Sequence, residues 1–233
     1  MSTTATQIAN NLAGEIHSGH LKAGEMFPSE RELCERFGIG RNVVREAMTI
    51  LQGIRLADHA KGKRPRVVSP SLSEVMAGMG EAARPFFTGS EGRAHLEQAR
   101  LFLETSMLQY AVMHATNAQV ARMLEAIDEC ECNIDDADAF RNADVKFHRV
   151  LAEIPGNPIF IALHDAFVER LMKSRPLLDD YRDRNRASND EHREIVKLMI
   201  GKQGEKAVAV LTRHLTRNYG TYFLQALEKQ PTS

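Results

Sequence analysis

A chain of 233 residues with 43% apolar and 26% charged side chains has the composition of a globular protein with a sizeable core, which excludes a disordered chain. Its apolar stretches are broken by charge well short of the ~20 residues a membrane span needs, and its Ser/Thr-rich start lacks the basic and apolar regions of a secretory leader, so no membrane contact and a cytoplasmic location are expected. The net charge of −1 conceals an asymmetry: between residues 41 and 68, Arg41, Arg45, Arg55, Lys61, Lys63, Arg64 and Arg66 face only Glu46 and Asp58, a local excess that points to nucleic acid. Cys34 stands alone and Cys130 and Cys132 are two residues apart, so the three cysteines form neither a disulfide framework nor a CxxC metal pair and read as buried thiols.

From Thr6 the residues Ile8, Ala9, Leu12 and Ile16 recur at helical spacing until Ser18-Gly19-His20 stops the helix. After the turn at Gly24 and Pro28, Ser29 and Glu32 form a capping box, so a second helix begins at Glu30 and runs through Leu33 and Phe37. Gly38-Ile39-Gly40 is the glycine-bearing turn of a helix-turn-helix unit. The third helix turns Val43, Val44, Ala47, Met48 and Leu51 inward, which leaves Arg41, Asn42 and Arg45 outward at the N-terminal end that such units insert into the major groove.

Residues 56–68 change rhythm to two short extended stretches around a Lys61-Gly62-Lys63 tip, a two-stranded wing with Pro65 at an edge position. Beyond Ser69-Pro70-Ser71 no convincing strand occurs. Amphipathic patterns over residues 72–87, 91–115, 118–130, 137–154, 158–178, 188–200 and 204–227 predict an antiparallel bundle of six or seven helices. The fold class is therefore mainly α: a winged helix-turn-helix domain over residues 1–70 and an all-helical domain over residues 71–233.

Within the helical part, Asp144 and His148 are one turn apart and project from one face, so one cation can be gripped by both. His192 and His214, on later helices, would complete the grip if both point inward. One carboxylate and three neutral imidazoles suit Zn²⁺, or its neighbours Ni²⁺, Co²⁺ and Mn²⁺, and suit Ca²⁺ poorly. Nine histidines in a helical protein also place several on helices by chance, so satisfied core histidines are the alternative. His164, in the apolar run Ile161-Ala162-Leu163, lines a cavity or simply packs in the core. Arg100 sits in a strongly apolar helix and needs an anion there: either Glu104 one turn later, or the carboxylate of a small acid whose other oxygens reach the metal.

Pro28-Ser29-Glu30-Arg31-Glu32-Leu33 followed by Gly40-Arg41-Asn42-Val43-Val44-Arg45-Glu46-Ala47 resembles the head of GntR-type transcriptional regulators. The remainder is similar to the all-helical FCD effector domain of their fatty-acid-regulator-type subfamily. The segments 94–102 and 147–160 are most similar to its sialic-acid-responsive repressors. The resemblance implies DNA contacts at Arg31, Arg41, Asn42 and Arg45, with Lys61 and Gly62 at the wing tip, and a divalent metal on Asp144, His148, His192 and His214. It departs from the family pattern at Gly40, where a serine or threonine is usual, and at Arg55, which occupies a glycine's place.

The function this implies is a homodimeric repressor that binds a double-stranded DNA operator and is controlled by a small carboxylate, a sialic acid or related sugar acid, docking between the metal, Arg100 and His164. A regulator for which the metal itself is the signal is the alternative. A metal-dependent hydrolase is disfavoured, because Glu191 is expected about 100° around its helix from the site and no other carboxylate offers itself as a base.

Overall fold

A computed structural model describes residues 4–58, 64–87, 89–173 and 177–228, and divides into two compact units spanning residues 1–71 and 72–233. The first contains α1 (Ala5–His17), α2 (Glu30–Phe37), α3 (Arg41–Gly53), β1 (Ala57–Asp58) and β2 (Arg66–Val67). Ile8, Leu12, Phe27, Leu33, Val44 and Leu51 are its fully buried centre, so the helical spacing read from α1 and α3 is the spacing that packs. Thr4 with Gln7 and Ser29 with Glu32 each close a reciprocal capping box, which fixes where α1 and α2 begin.

Two glycine positions govern the turns around α3. Gly38 ends α2 at φ 65, the left-handed region where a side chain is disfavoured. Gly40 caps α3 without a side-chain hydrogen bond, so the hydroxyl contact expected of the usual serine or threonine is absent. Arg55, in a glycine's place after α3, takes φ 59 and carries the strain that glycine would avoid. The wing is short: Ala57 pairs with Val67 and Asp58 with Arg66, and an isolated bridge between Met26 and Arg66 ties its base to the segment before α2. The tip residues Lys61 and Gly62 lie outside the described residues.

The second unit runs α4 (Leu72–Ala82), a 3₁₀ turn (Arg84–Phe87), α5 (Gly89–His114), α6 (Asn117–Cys132), α7 (Ala137–Glu153), α8 (Pro158–Leu163), a π turn (His164–Val168), α9 (Glu169–Lys173), α10 (Tyr181–Ile200) and α11 (Gly204–Glu228). Its core is built from Leu108, Met123, Ile127, Phe147, Leu151, Ile195 and Leu211 on five helices. Three features differ from the sequence expectation. Pro85 breaks the first pattern, leaving α4 and a separate 3₁₀ turn. The pattern over 158–178 is interrupted at its middle by the π turn, which inserts an extra residue and re-aims His164 and Asp165. Helix α10 starts at Tyr181, about two turns earlier, because the polar segment is held from outside: Tyr181 Oη donates to the Asp135 carbonyl and Asn185 Nδ2 to the Ile134 carbonyl, both at 3.0 Å. Of the thiols, only Cys130 is buried; Cys34 is half-buried and Cys132 exposed, which corrects the expectation of three buried thiols. Among the described residues no helix is long and apolar enough to cross a membrane.

Candidate metal centre and nucleic-acid face

Asp144 and His148 on α7, His192 on α10 and His214 on α11 meet in the middle of the second unit, each offering one ligand atom within 4.8 Å of the others, and all four are buried. Asp144 Oδ1 lies 3.3 Å from His192 Nε2 and 3.6 Å from His148 Nε2. The rings stand close, with centroid separations of 5.2 Å for His148–His192, 5.3 Å for His148–His214 and 4.7 Å for His192–His214. Phe147 stacks on His192 at 4.0 Å and seals that side.

The donor set fits a divalent ion. Asp144 Oδ1, His148 Nε2 and both ring nitrogens of His192 are buried without a hydrogen-bond partner among the described residues. An orphaned buried polar atom costs about 1–3 kcal/mol, and one cation satisfies several of these at once.

Two carboxylates that the sequence reading did not assign to the site orient the rings from behind. His214 Nδ1 donates to Glu191 Oε2 at 3.0 Å, and His148 Nδ1 lies 2.6 Å from Glu104 Oε2. A carboxylate on Nδ1 fixes a histidine with Nε2 facing inward, the arrangement that tunes metal-ligating imidazoles. Glu191 therefore does reach the centre, contrary to the expectation that it points away. It does so through His214 and is also held by Arg213 at 3.1 Å and Arg217 at 2.5 Å, so it is not placed as a base.

Electrostatics follow from this arrangement. Burial works against the imidazolium of His192 and of His214 and pushes both pKa values down, keeping the rings neutral. Burial opposes the charged form of His148 too, but Glu104 outweighs it and the pKa is raised. Burial alone would raise the Glu104 carboxyl; Arg100 and then His148 overcome it and hold it far below the usual range. Glu191, despite desolvation, is brought down to about 2 by His214 and its arginines.

Arg100 is 1% exposed and donates from Nε to Glu104 Oε1 at 2.6 Å, with Glu97 Oε2 at 3.8 Å from its NH1. Its two terminal nitrogens, NH1 and NH2, have no hydrogen-bond partner. Glu104 thus stands between Arg100 and His148, which corrects the picture of a guanidinium and a metal left facing each other's like charge. Glu97, Arg100 and Glu104 fall at i, i+3 and i+7 on one helix face, a spacing that could have revealed the buried charge line. His164 is buried in the π turn with Nδ1 3.2 Å from Asp165 Oδ1 and Nε2 unpartnered. Arg149 clamps Asp165 through Nε at 2.9 Å and NH2 at 3.2 Å, so the turn is held by an ion pair to α7.

On the first unit, Arg41, Asn42 and Arg45 are exposed on the first turn and a half of α3, and Arg31 is exposed on α2. Arg45 Nε donates to Glu30 Oε1 at 3.0 Å, while its side chain stays largely exposed. Arg64 NH2 donates to Glu32 Oε2 at 3.0 Å.

Residues 4–67 match the family model described as bacterial regulatory proteins, gntR family, and residues 95–217 match that of the FCD domain. The chain is 39% identical over 227 residues to the HTH-type transcriptional repressor NanR of Salmonella arizonae, covering 97% of this chain and 86% of that protein. It is 40% identical over 217 residues to the repressor of the same name from Salmonella typhimurium, covering 92% and 82%. Among solved structures it is similar to Streptococcus agalactiae GntR, with TM-score 0.62 at 21% identity over 93% of this chain and 99% of that one, a likeness of fold.

Proposed function

The chain belongs to the GntR family of bacterial regulatory proteins, with an FCD domain behind its DNA-binding head, and from that premise we propose that it is a repressor whose operator binding is set by a small carboxylate docking at a protein-held divalent metal. Its domains are regulatory rather than enzymatic. The carboxylates beside the metal ligands are engaged with histidine nitrogens and arginines, which leaves no positioned base among the described residues.

The observation that carries the effector reading is the Arg100 guanidinium: fully buried, anchored at Nε, with neither terminal nitrogen hydrogen-bonded although NH1 lies 3.8 Å from Glu97 Oε2, one carboxylate away from His148. Guanidinium and carboxylate match as a bidentate pair, and an acid that completes Arg100 removes two orphaned donors. Asp144, His148, His192 and His214 would hold the metal, which when bound supplies a Lewis-acidic anchor for the same acid's oxygens. Zn²⁺ suits this donor set, with Ni²⁺, Co²⁺ and Mn²⁺ as neighbours. His164, with an unpaired Nε2 in the π turn, adds a further polar contact for the acid. The identity with NanR repressors over most of the chain and the likeness of residues 94–102 and 147–160 make sialic acids and related sugar acids the first class to test.

At the head, Arg31, Arg41, Asn42 and Arg45 are the DNA contacts, supplemented by Lys61 and Gly62 of the wing. One recognition helix reads few base pairs, so a homodimer on a near-palindromic operator is the expected assembly. Control by the acid requires that its affinity differ between DNA-competent and incompetent states. Calorimetry of the metal-loaded protein against a panel of sialic acids, other sugar acids and dicarboxylates is the direct test. Saturable heat with a sugar acid, lost on metal removal, supports the reading, and no heat with any acid overturns it.

A further inference from the structure

Glu30 and Glu32 put two carboxylates at the start of α2, on a unit whose arginines are read as DNA contacts. A carboxylate beside a phosphate backbone works against binding, so each calls for a reason in the fold or in recognition. Glu32 has a reason in the fold. It accepts from the Ser29 backbone N–H and from Ser29 Oγ, both at 2.6 Å, which closes the capping box, and it accepts from Arg64 NH2 at 3.0 Å. Glu30 takes no part in that cap. Its carboxylate is engaged by Arg45 of α3, whose Nε donates to Oε1 at 3.0 Å.

The pair contributes little to the fold. The Arg45 and Glu30 side chains are 64% and 44% exposed, and an ion pair so open to water is a weak source of stability. An acid in the first turn also favours the helix dipole, but Glu32 already supplies one. The larger consequence is for Arg45. A guanidinium carries five N–H donors, and Glu30 takes the one at Nε, which leaves the NH1 and NH2 donors for other partners. The hydrogen bond to Arg45 holds the Glu30 carboxyl below its ordinary range against a small burial penalty, and Arg41 adds a weaker pull. Arg45 also lines a groove of about 460 Å³ between α3 and the base of the wing, together with Thr49, Gln52 and Arg64. Released from Glu30, its long side chain has that space to move in.

The carboxylate acts on DNA binding in two ways that differ in kind. Its charge offsets that of the arginine and weakens binding to every duplex alike, because sequence-independent affinity follows the number of phosphates neutralised. Its grip on Nε restricts the direction of the guanidinium, so that NH1 and NH2 serve a base edge at a fixed place rather than whichever phosphate is in reach. Only the second alters the ratio between right and wrong sequences.

We propose that Glu30 is a positioning residue for sequence discrimination: by holding Arg45 at Nε it reserves the guanidinium for a base edge and denies it to the phosphate backbone. This role rests on the reading of Arg45 as a DNA contact and goes beyond it, since it gives a part in recognition to an acid that lowers affinity.

A double-mutant cycle on the full chain tests it. The probes are the duplex that wild type selects from a random-sequence pool and a shuffled duplex of the same composition, with affinities read by fluorescence anisotropy at several salt concentrations. E30Q should bind the shuffled duplex about fivefold more tightly at low salt, with a salt slope steeper by about one. It should bind the selected duplex no more tightly than wild type, so the preference between the two falls by at least about fivefold. In the R45A background the same substitution should shift both duplexes equally and leave the preference unchanged. Circular dichroism melts that coincide with wild type establish that the variants are folded. An E30Q that changes both duplexes by one factor, or changes neither, overturns the positioning role. A loss of preference of equal size in R45A overturns it too, because Glu30 would then meet the DNA itself. If instead R45A binds both duplexes as wild type does, or selection yields no common sequence, the reading of Arg45 as a base contact falls and the role of Glu30 with it.

Discussion

His214 donates from Nδ1 to Glu191 Oε2 at 3.0 Å, across from α11 to α10. This contact fixes the ring that would otherwise rotate, and it makes the residue before one candidate metal ligand, His192, the support of another. Glu191→Gln should weaken metal binding roughly ten- to hundredfold, the usual cost of losing such a support, while leaving the helical content unchanged. Competition against a chromophoric chelator measures it. Unchanged affinity would show that His214 is oriented by packing alone.

Metal binding should release protons. His192 and His214 are held neutral by burial, whereas Glu104 raises His148 above the ordinary histidine value. In the metal-free protein His148 is then the imidazole of the three that holds its proton to the higher pH, and the metal must displace it. The sign is that apparent affinity falls as pH drops through the raised His148 value, so loss sets in above the ~6.5 of an unperturbed histidine. Calorimetry of metal binding in buffers of different ionisation enthalpy counts the protons; a release that grows as pH falls is expected in wild type, and a smaller one in H148A.

Glu191 itself is linked to folding. Its carboxyl is at about 2 in the folded chain against 4.5 for the free side chain. A depressed carboxyl stabilises above its unfolded value and loses that contribution as pH falls toward the folded one. Acid unfolding of the metal-free protein between about pH 4.5 and 2 should be shallower in E191Q than in wild type. Chemical denaturation at several pH values checks this, and identical pH profiles would contradict it.

Arg100 needs two variants to separate its roles. Removing it leaves Glu104 buried without its main partner, and breaking a buried pair costs about 3–5 kcal/mol, so R100A should lower the melting temperature whatever it does to ligand binding. R100K keeps the charge beside Glu104 but loses the planar fork. It should remain folded and metal-loaded and bind the acid at least roughly tenfold more weakly. An R100K variant that binds the acid like wild type would assign Arg100 to the Glu104 pair alone.

Arg45 is held at Nε by Glu30 with its terminal nitrogens free, the arrangement in which a guanidinium reaches guanine with both. R45A should lose roughly tenfold or more in operator affinity and relax base preference at one position of each half-site. R41A should lower operator affinity as well. Fluorescence anisotropy on operator and scrambled duplexes separates base reading from phosphate contact, because a phosphate-only arginine weakens both evenly.

Much of this was legible from the residues. The capping box at Ser29 and Glu32, the glycine turn at Gly38 and the inward stripe of α3 are local, and local chemistry decides them. Asp144 and His148 were readable because four residues is one helical turn; His192 and His214 were plausible because each sits in an amphipathic helix. What escaped depends on how distant helices meet. Glu191 reaches His214 only because α10 and α11 cross there, and no periodicity within α10 reveals that. The π turn was hidden because an apolar run reads the same with or without one extra residue, and the polar start of α10 because its partners, the carbonyls of Ile134 and Asp135, lie some fifty residues away.

The measurement that bears most directly on control of the head by the buried centre is operator affinity, by anisotropy, for metal-loaded wild type and R100K with and without a saturating sugar acid. The acid should weaken operator binding of wild type by at least about fivefold, the lower end of allosteric coupling, and leave R100K near its acid-free value. An operator affinity that no sugar acid alters in wild type, or that shifts equally in R100K, would contradict control through this site.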